Sequence, residues 1–300
     1  MSDWLISIAG TAEGATVATM LALMSAFFHA VFGALQKGAH DPWLSRGSID
    51  LSFAVISAPV ALFLVPWPDG RMAVIIAGAV VVHFFYKLTL AQAYERAAYT
   101  VVYPVVRGIG PIVTVAAASI IFGEHFKAVQ WLGVVCLSGA ILLLALRNLG
   151  EEIVDPRTLK VTLGWAALCG VLVAVYTTYD AWGIRQSADP FTFLAWFFLF
   201  TSLDFPVIAW IRYRRMEAPP RLGPLLARGV IGAVLGWFSF GGVMLATFLD
   251  SVGEAAVLRE TSTVFAALIG WFILGDNVGP RRLVLMCLIA LGAVIVELGG

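Results

Sequence analysis

The residues of this sequence that could do chemistry are ionisable side chains within long apolar stretches. Arg107 lies about ten residues into one such stretch, or about 15 Å along an α-helix. A charge at that depth of a bilayer costs at least ~2.5 kcal/mol, so the arginine must face protein or a water-filled cavity. We therefore expect Arg107 either to hold an anionic group of a ligand, such as a carboxylate, or to pair permanently with a buried acid, Asp204 or Glu260.

Two tyrosines share a helix face with this arginine. Tyr99, Tyr103 and Arg107 follow one another at four-residue intervals, which places them on one side of an α-helix. Pro104 and Pro111 each remove a backbone hydrogen bond from the same helix. The sequence therefore predicts a helix that is kinked or broken between Tyr103 and Pro111 and that lines a cavity.

Two histidines and a lysine are further candidates. His83 and Lys87 lie four residues apart with Tyr86 beside them, and His29 lies in an earlier apolar stretch. Each histidine is either a proton carrier or ligand contact, or a hydrogen-bonded structural residue. Lys87 either joins the site as an ion-pair or proton candidate or extends its ammonium group to the membrane interface.

Two acids in the second half of the chain leave similar alternatives. Asp180 shares a helix face with Tyr176, and that face either contacts a ligand or anchors the helix at the interface. Asp204 is either a proton site or the counter-ion of a cation.

Arg259 and Glu260 are neighbours in sequence. Their side chains point about 100° apart on a helix, so each needs a separate partner. We expect Glu260 to pair with Arg107, and we expect Arg259, like Arg107, to be a candidate for binding substrate. Trp237 and Phe240 either add an aromatic wall to the site or serve in packing.

Motifs of other chemistries are missing from the sequence. It has no HExxH, no phosphate-binding glycine loop and no Gly-x-Ser-x-Gly. The four histidines lack metal-ligand spacing, and Cys136, Cys169 and Cys287 lie in apolar stretches as core or lipid-facing residues. We expect no cofactor, no metal and no enzymatic activity.

Composition indicates what must position these residues. Of 300 residues, 60% are hydrophobic and only 13% are charged, whereas a soluble domain carries roughly a quarter charged residues. The surface must therefore face lipid, and the chain is predicted to be an all-α integral membrane protein. Its formal net charge of zero argues against nucleic acid as a partner.

Ten apolar stretches are long enough to cross a bilayer as helices. The residues before the first are too few to do so, and no basic region marks a signal peptide. The predicted spans are 16–38, 48–66, 72–92, 97–122, 128–147, 161–186, 190–211, 223–248, 254–274 and 280–298.

The two halves of the chain resemble each other. Four features recur in the same order, 148 to 155 residues apart: Asp41-Pro42 as Asp189-Pro190, Leu90-Ala91 as Leu245-Ala246, Arg107 as Arg259, and Gly123-Glu124 as Gly275-Asp276. We infer an N-terminal segment (1–15), a five-helix repeat (16–147), a linker (148–160) and a second repeat (161–300). Because five is odd, the repeats must be inverted in the membrane.

Basic residues predict the orientation. The loops on one side hold 13 lysines and arginines and those on the other side hold three. Because short basic loops stay in the cytoplasm, both termini are predicted to be extracytoplasmic.

At this point the residues resemble a known family. The sequence YERAAYTVVYPVVRGIGP at 94–111, the FGE at 122–124 and the QWLGV at 130–134 resemble the EamA-type signature of the drug/metabolite transporter superfamily. LRETS at 258–262 resembles the paired motif. In two departures, Asp276 stands where the family usually has Glu, and span nine lacks the prolines of span four.

The resemblance implies a function. It implies a central cavity lined by spans one, three, four, six, eight and nine, and export of amino acids, drugs or other metabolites. We therefore expect a secondary transporter in the bacterial inner membrane that exports a small carboxylate-bearing compound by alternating access, with proton coupling through His83, Asp204 or Glu260. The alternative is an intramembrane enzyme or a membrane sensor that does not transport. Its partners are the substrate and the lipid bilayer, and its oligomeric state stays open, a monomer included.

Overall fold

The protein is helical throughout the part that the computed structural model describes, residues 2–36, 41–96, 99–149, 156–272 and 279–300. In chain order, its elements are α1 (Ser2–Ile8), α2 (Ala12–Gln36), α3 (Pro42–Phe63), α4 (Gly70–Arg96), α5 (Tyr99–Ile121), α6 (Ala128–Leu149), α7 (Pro156–Arg185), α8 (Pro190–Phe200), α9 (Asp204–Arg215), α10 (Leu222–Gly236), a π-helical turn (Trp237–Gly241), α11 (Gly242–Leu249), α12 (Val252–Arg259), α13 (Ser262–Phe272) and α14 (Pro280–Leu298).

Nine helical stretches of the described residues are long and apolar enough to span a membrane. They are Ala12–Leu35, Pro42–Phe63, Gly70–Arg96, Val102–Ile121, Ala128–Arg147, Arg157–Arg185, Pro190–Arg215, Leu222–Leu249 and Val252–Phe272. The tenth predicted span is α14, a 19-residue helix that includes Arg281, Arg282 and Glu297. The chain is therefore a multi-pass integral membrane protein.

The outer surface is apolar, as a lipid-facing surface must be. Ile120, Phe63 and Val74 are 84%, 81% and 73% exposed, and water would solvate such large side chains poorly. By contrast, α8 is apolar on all sides and almost wholly buried, as expected of a helix enclosed by others.

The recurring Asp-Pro pairs start helices. Asp41 accepts hydrogen bonds from the amides of Trp43 and Leu44 at the start of α3, and Asp189 accepts one from the amide of Thr192 at the start of α8. In each case the aspartate is the N-cap and proline is the first helical residue, where its missing amide is not needed. The cap moves the start of α3 to Pro42, six residues before the predicted span.

Three of the long apolar stretches are interrupted. The seventh is interrupted between α8 and α9 at residues 201–203, and the ninth between α12 and α13 at residues 260–261. The eighth contains the π-helical turn, a feature that often marks functional sites. These interruptions lie next to one another around the cavity described below.

The predicted break in span four does not occur. α5 is one helix from Tyr99 to Ile121 and contains both Pro104 and Pro111. Neighbouring helices pack on both sides of it, α6 on one and α7 on another. Packed neighbours allow a membrane helix to keep its form despite two lost hydrogen bonds.

Candidate functional site

A cavity opens among the helices around the π-helical turn. It contains about 600 Å³ of space free of atoms, counting its open side, which is within the range of small-molecule sites. Nine aromatic or histidine rings, from five helices and the π-helical turn, line it together with polar groups. The lining residues are His29, Phe32, Arg46, Phe53, His83, Tyr86, Tyr176, Phe197, Phe198, Thr201, Ser202, Gly236, Ser239, Phe240 and Arg259.

The helices around this cavity differ from those expected. α2, α4, α7, the π-helical turn and α12 contribute, as the resemblance implies, but α3 and α8 contribute as well. No described residue of α5 lies in the lining. Arg107 instead borders a much smaller space beside the cavity, together with Arg259 and Glu260.

Arg107 is engaged by a fixed acid. Its Nη1 donates to Glu260 Oε1 at 2.8 Å, and both side chains are about 5% exposed. The guanidinium also lies over the Tyr103 ring, 5.4 Å from its centroid. Glu260 is at the interruption between α12 and α13, so this buried pair connects α5 to the interruption of the ninth stretch.

Arg259 has no such partner. It lies in the cavity wall, 5% exposed, and no carboxylate among the described residues forms an ion pair with it. Its Nε has no hydrogen-bond acceptor among them. Its guanidinium lies over the Phe240 ring, 5.3 Å from the centroid. A buried cation with unused donors in a cavity is the arrangement that binds an anion.

His83 and Asp180 form a buried dyad. His83 Nε2 and Asp180 Oδ2 are 2.8 Å apart, and the imidazole lies in the cavity wall while Asp180 lies behind it. Tyr176 packs against the imidazole at 4.8 Å between ring centroids, and Phe197 and Phe240 approach it at 5.1 and 5.6 Å. The second oxygen of Asp180 has no hydrogen-bond partner among the described residues.

His29 has weaker polar contacts. Its Nδ1 is 3.3 Å from Ser239 Oγ in the π-helical turn, and its ring lies 6.2 Å from that of Tyr103. Ser25 Oγ donates to the Ser239 carbonyl at 2.5 Å. These contacts join α2 to the turn.

Lys87 does not extend to the interface; it is 1% exposed. Its ammonium donates to Asp50 Oδ2 at 2.9 Å, to the Thr201 carbonyl at 2.7 Å, and to Asp204 Oδ1. Lys87 can remain buried because two carboxylates and the Thr201 carbonyl at the end of α8 together compensate the charge of its ammonium group. Asp204 is therefore the counter-ion of Lys87 and not of Arg107.

Arg46 completes this cluster, with its Nη2 2.6 Å from Asp50 Oδ1. Neither Arg46 nor Asp50 was expected in a site, because the predicted span began at residue 48, which left Arg46 outside it and Asp50 at its very end. The Asp41-Pro42 pair was the signal that could have found them: taken as an N-cap and first helical residue, it places both inside the helix.

Other predicted residues fall in different places. Tyr86 and Tyr176 are in the cavity wall. Trp237 is not in the described lining; its ring stacks on Phe198 at 5.8 Å, so it packs behind the wall, and Phe240 is the ring of that turn that faces the cavity. The side chain of Tyr99 lies outside the described residues, as does Asp276.

The start of α12 is held by the first half of the chain. Glu124 accepts hydrogen bonds from the amides of Val252 and Gly253, at 2.7 and 3.1 Å, and from Ser251 Oγ at 2.8 Å. Gly123, with φ of 68°, supplies the left-handed turn that brings this carboxylate forward after α5. α12 is thus fixed at one end by Glu124 and at the other by the contact of Glu260 with Arg107.

Comparison with known proteins agrees with this architecture. The model of the EamA-like transporter family matches residues 160–298. One solved crystal structure of a protein superposes with a TM-score of 0.70 at 19% identity, covering 95% of this chain and 97% of that chain, which is a likeness of fold. No curated protein matches the chain in sequence. Residues 160–298 are therefore similar to the EamA-like transporter family, a family of membrane transporters in the drug/metabolite transporter superfamily.

Proposed function

We propose that the protein is a secondary transporter that moves a small carboxylate-bearing metabolite by alternating access, with Arg259 as the anion-binding residue. The observation that carries this proposal is the buried guanidinium of Arg259 in the cavity wall, without an ion pair among the described residues. An uncompensated charge inside a membrane protein is costly. A substrate carboxylate would compensate it and would use the two-pronged geometry of the guanidinium.

The aromatic lining supports a substrate with an apolar body. Phe53, Phe197, Phe198 and Phe240 face the same space as Arg259, and such rings bind flat or apolar groups through contact area. We therefore expect a carboxylate attached to a ring or a short apolar chain, amino-acid-like compounds included.

The proposed frame is ten transmembrane helices in two inverted five-helix repeats, 16–147 and 161–300, with 1–15 ahead of them and 148–160 between them. The matching caps of Asp41 and Asp189 support it. So does a reciprocal contact of α6 with α14, the last helix of each repeat: a Cβ on Gly133 would meet the Gly292 carbonyl, and one on Gly292 the Gly133 carbonyl, both at 2.7 Å. The resemblance favours export across the bacterial inner membrane, with a proton as the coupling ion.

Flux through proteoliposomes tests this proposal. Three labelled compounds share a ring and differ in charge: benzoate (anion), phenylalanine (zwitterion) and benzamide (neutral), each offered with and without an imposed pH gradient. We expect flux of a carboxylate but not of benzamide. Arg259→Gln should lower the carboxylate flux at least about tenfold, because it removes roughly the free energy of one hydrogen bond to a charged group. The control Arg71→Gln, at an exposed arginine, should retain flux.

The same preparation tests the alternative classes. An intramembrane enzyme would release a chemically altered product, and a sensor would bind a carboxylate without moving it. Binding without flux, or recovery of a modified compound, would contradict the proposal.

A further inference from the structure

The ionised groups around the cavity fall into sets whose charges can be added. Arg107 and Glu260 are 2.8 Å apart and cancel each other. Arg46 and Lys87 are bound to Asp50 and Asp204, two cations with two acids. Three groups remain: Arg259, Asp180 and His83.

These three groups have two charge states. When His83 is neutral, Asp180 is the one acid of this set and balances the positive charge of Arg259. When His83 carries a proton, it forms an ion pair with Asp180 at 2.8 Å, and this pair neutralises the negative charge of Asp180. Arg259 is then left uncompensated, with one net positive charge in a buried space.

We infer that His83 and Asp180 form a proton site coupled to Arg259, so that a monovalent carboxylate and a proton bind together and cross the membrane together, outward when the carboxylate gradient exceeds the inward proton gradient. The inference rests on the proposed function, because it assigns the coupling of the same substrate site. A carboxylate at Arg259 restores neutrality only in the protonated state, and a proton at His83 is tolerated best when the carboxylate is present. By linkage, each favours the other by the same factor.

The position of the imidazole decides between an anion and a zwitterion. His83 lies in the cavity wall and Asp180 lies behind it, 2% exposed. A substrate ammonium group would have to displace the imidazole to reach Asp180, whereas a carboxylate reaches Arg259 directly. A zwitterion would compete with the proton for Asp180, while a monovalent anion cooperates with it.

No other charged group intervenes at His83 among the described residues packed around it. On its own helix, Tyr86 adjoins the ring and Lys87 is held by two acids. α7 presents Tyr176 beside Asp180, and α8 and the π-helical turn present Phe197 and Phe240. Arg46, across the cavity, is paired with Asp50.

Proton uptake on binding tests the inference. Purified protein in nanodiscs is titrated with benzoate in weakly buffered solution containing a pH-indicator dye, between about pH 6 and about pH 9, where benzoate stays ionised. Toward the alkaline end of this range, we expect about one proton taken up per benzoate and affinity falling about tenfold per pH unit. Phenylalanine should release protons or exchange none.

Substitutions separate coupling from a structural role. His83→Gln should bind benzoate without proton uptake and with little pH dependence. Asp180→Asn leaves Arg259 uncompensated at every pH, so it should bind benzoate at high pH as tightly as the wild type does at low pH. His29→Gln removes the other cavity histidine, which has no acid partner among the described residues, and should keep the proton-to-benzoate ratio.

Three results would overturn the inference. Benzoate binding to the wild type without proton uptake would overturn the coupling alone and leave the anion site standing. Loss of uptake in His29→Gln, with retention in His83→Gln, would move the proton to the other histidine. If neither benzoate nor phenylalanine stabilises the wild type against heat at any pH, both the anion site and the coupling fail.

Discussion

Two arginines that look equivalent in sequence occupy different environments. Arg107 and Arg259 are 152 residues apart at matching points of the two halves, yet Glu260 pairs with the first and not with the second. The buried pair holds α5 against the ninth stretch, while Arg259 keeps its donors for the cavity. The side chain that follows Arg259 in sequence thus determines which arginine is available to a ligand.

Removing each arginine should have opposite effects on stability. Arg107→Ala leaves the Glu260 carboxylate buried without its cation, which should lower the free energy of unfolding by roughly 3–5 kcal/mol. When His83 is protonated and paired with Asp180, Arg259→Gln removes an uncompensated charge, so stability without ligand should be unchanged or higher. Thermal unfolding of both variants in one detergent measures the difference.

A second substitution provides the control. Adding Glu260→Gln to Arg107→Ala removes the stranded charge and should recover part of the loss. Equal destabilisation by Arg107→Ala and Arg259→Gln would contradict the different roles assigned to them.

Sequence context identifies most of the buried ionisable residues but not their partners. Arg107, His83 and Asp180 stand out because charge is rare inside apolar stretches. Whether an acid or a substrate compensates Arg107 depends on which helices touch, and that is a tertiary property. Arg46 and Asp50 were not identified as site residues from the sequence, because they lie before the most apolar residues of their helix.

At the scale of the helix, the prolines do not determine where the chain breaks. α5 runs through Pro104 and Pro111, whereas the interruptions at residues 201–203 and 260–261 contain no proline. Side chains from other helices stabilise those interruptions: Lys87 donates to the Thr201 carbonyl, and Arg107 holds Glu260. Local sequence alone cannot reveal such support.

Restoring the missing amides in α5 should therefore change little. Pro104→Ala with Pro111→Ala supplies two donors to a helix that is already continuous. We expect a thermal midpoint equal to or above that of the wild type and retained benzoate binding. Loss of binding with an intact fold would show that the prolines shape the site after all.

The contact between α6 and α14 offers a sharper test of packing. A Cβ on Gly133 would lie 2.7 Å from the Gly292 carbonyl, whereas one on Gly139, on the same helix, meets nothing within 4 Å. Gly133→Ala should destabilise by about 1–3 kcal/mol through overpacking. Gly139→Ala should be neutral or slightly stabilising, since alanine favours helix.

Unfolding in denaturant compares the two alanine variants directly. A similar loss in both would indicate a general effect of alanine in this helix and would argue against the close approach of the two glycines.

For the whole molecule, the sequence predicted the class and nearly every helix. The turn residues between spans and the lengths of the apolar stretches suffice for that prediction. In lipid, each span must form its backbone hydrogen bonds within itself, so a long apolar stretch must be a helix. The short α1, the divided seventh and ninth stretches and the π-helical turn were not predicted, since they depend on contacts between spans.

Orientation in the membrane remains a prediction from charge. The bias of 13 basic residues to three predicts that a reporter fused after Gly300 lies outside the cytoplasm. Alkaline phosphatase should be active there and green fluorescent protein dark. The reverse pattern would mean that the basic loops do not set the topology or that the number of spans is not ten.

The carboxylate of Glu124 has a consequence for how the protein is made. Three groups at the start of α12 donate hydrogen bonds to Glu124, which lies in the first half of the chain. The ribosome synthesises Glu124 well before Ser251, so the acceptor already exists when α12 is made. A rearranged gene that encoded the second half first would deliver α12 to the membrane before its acceptor existed.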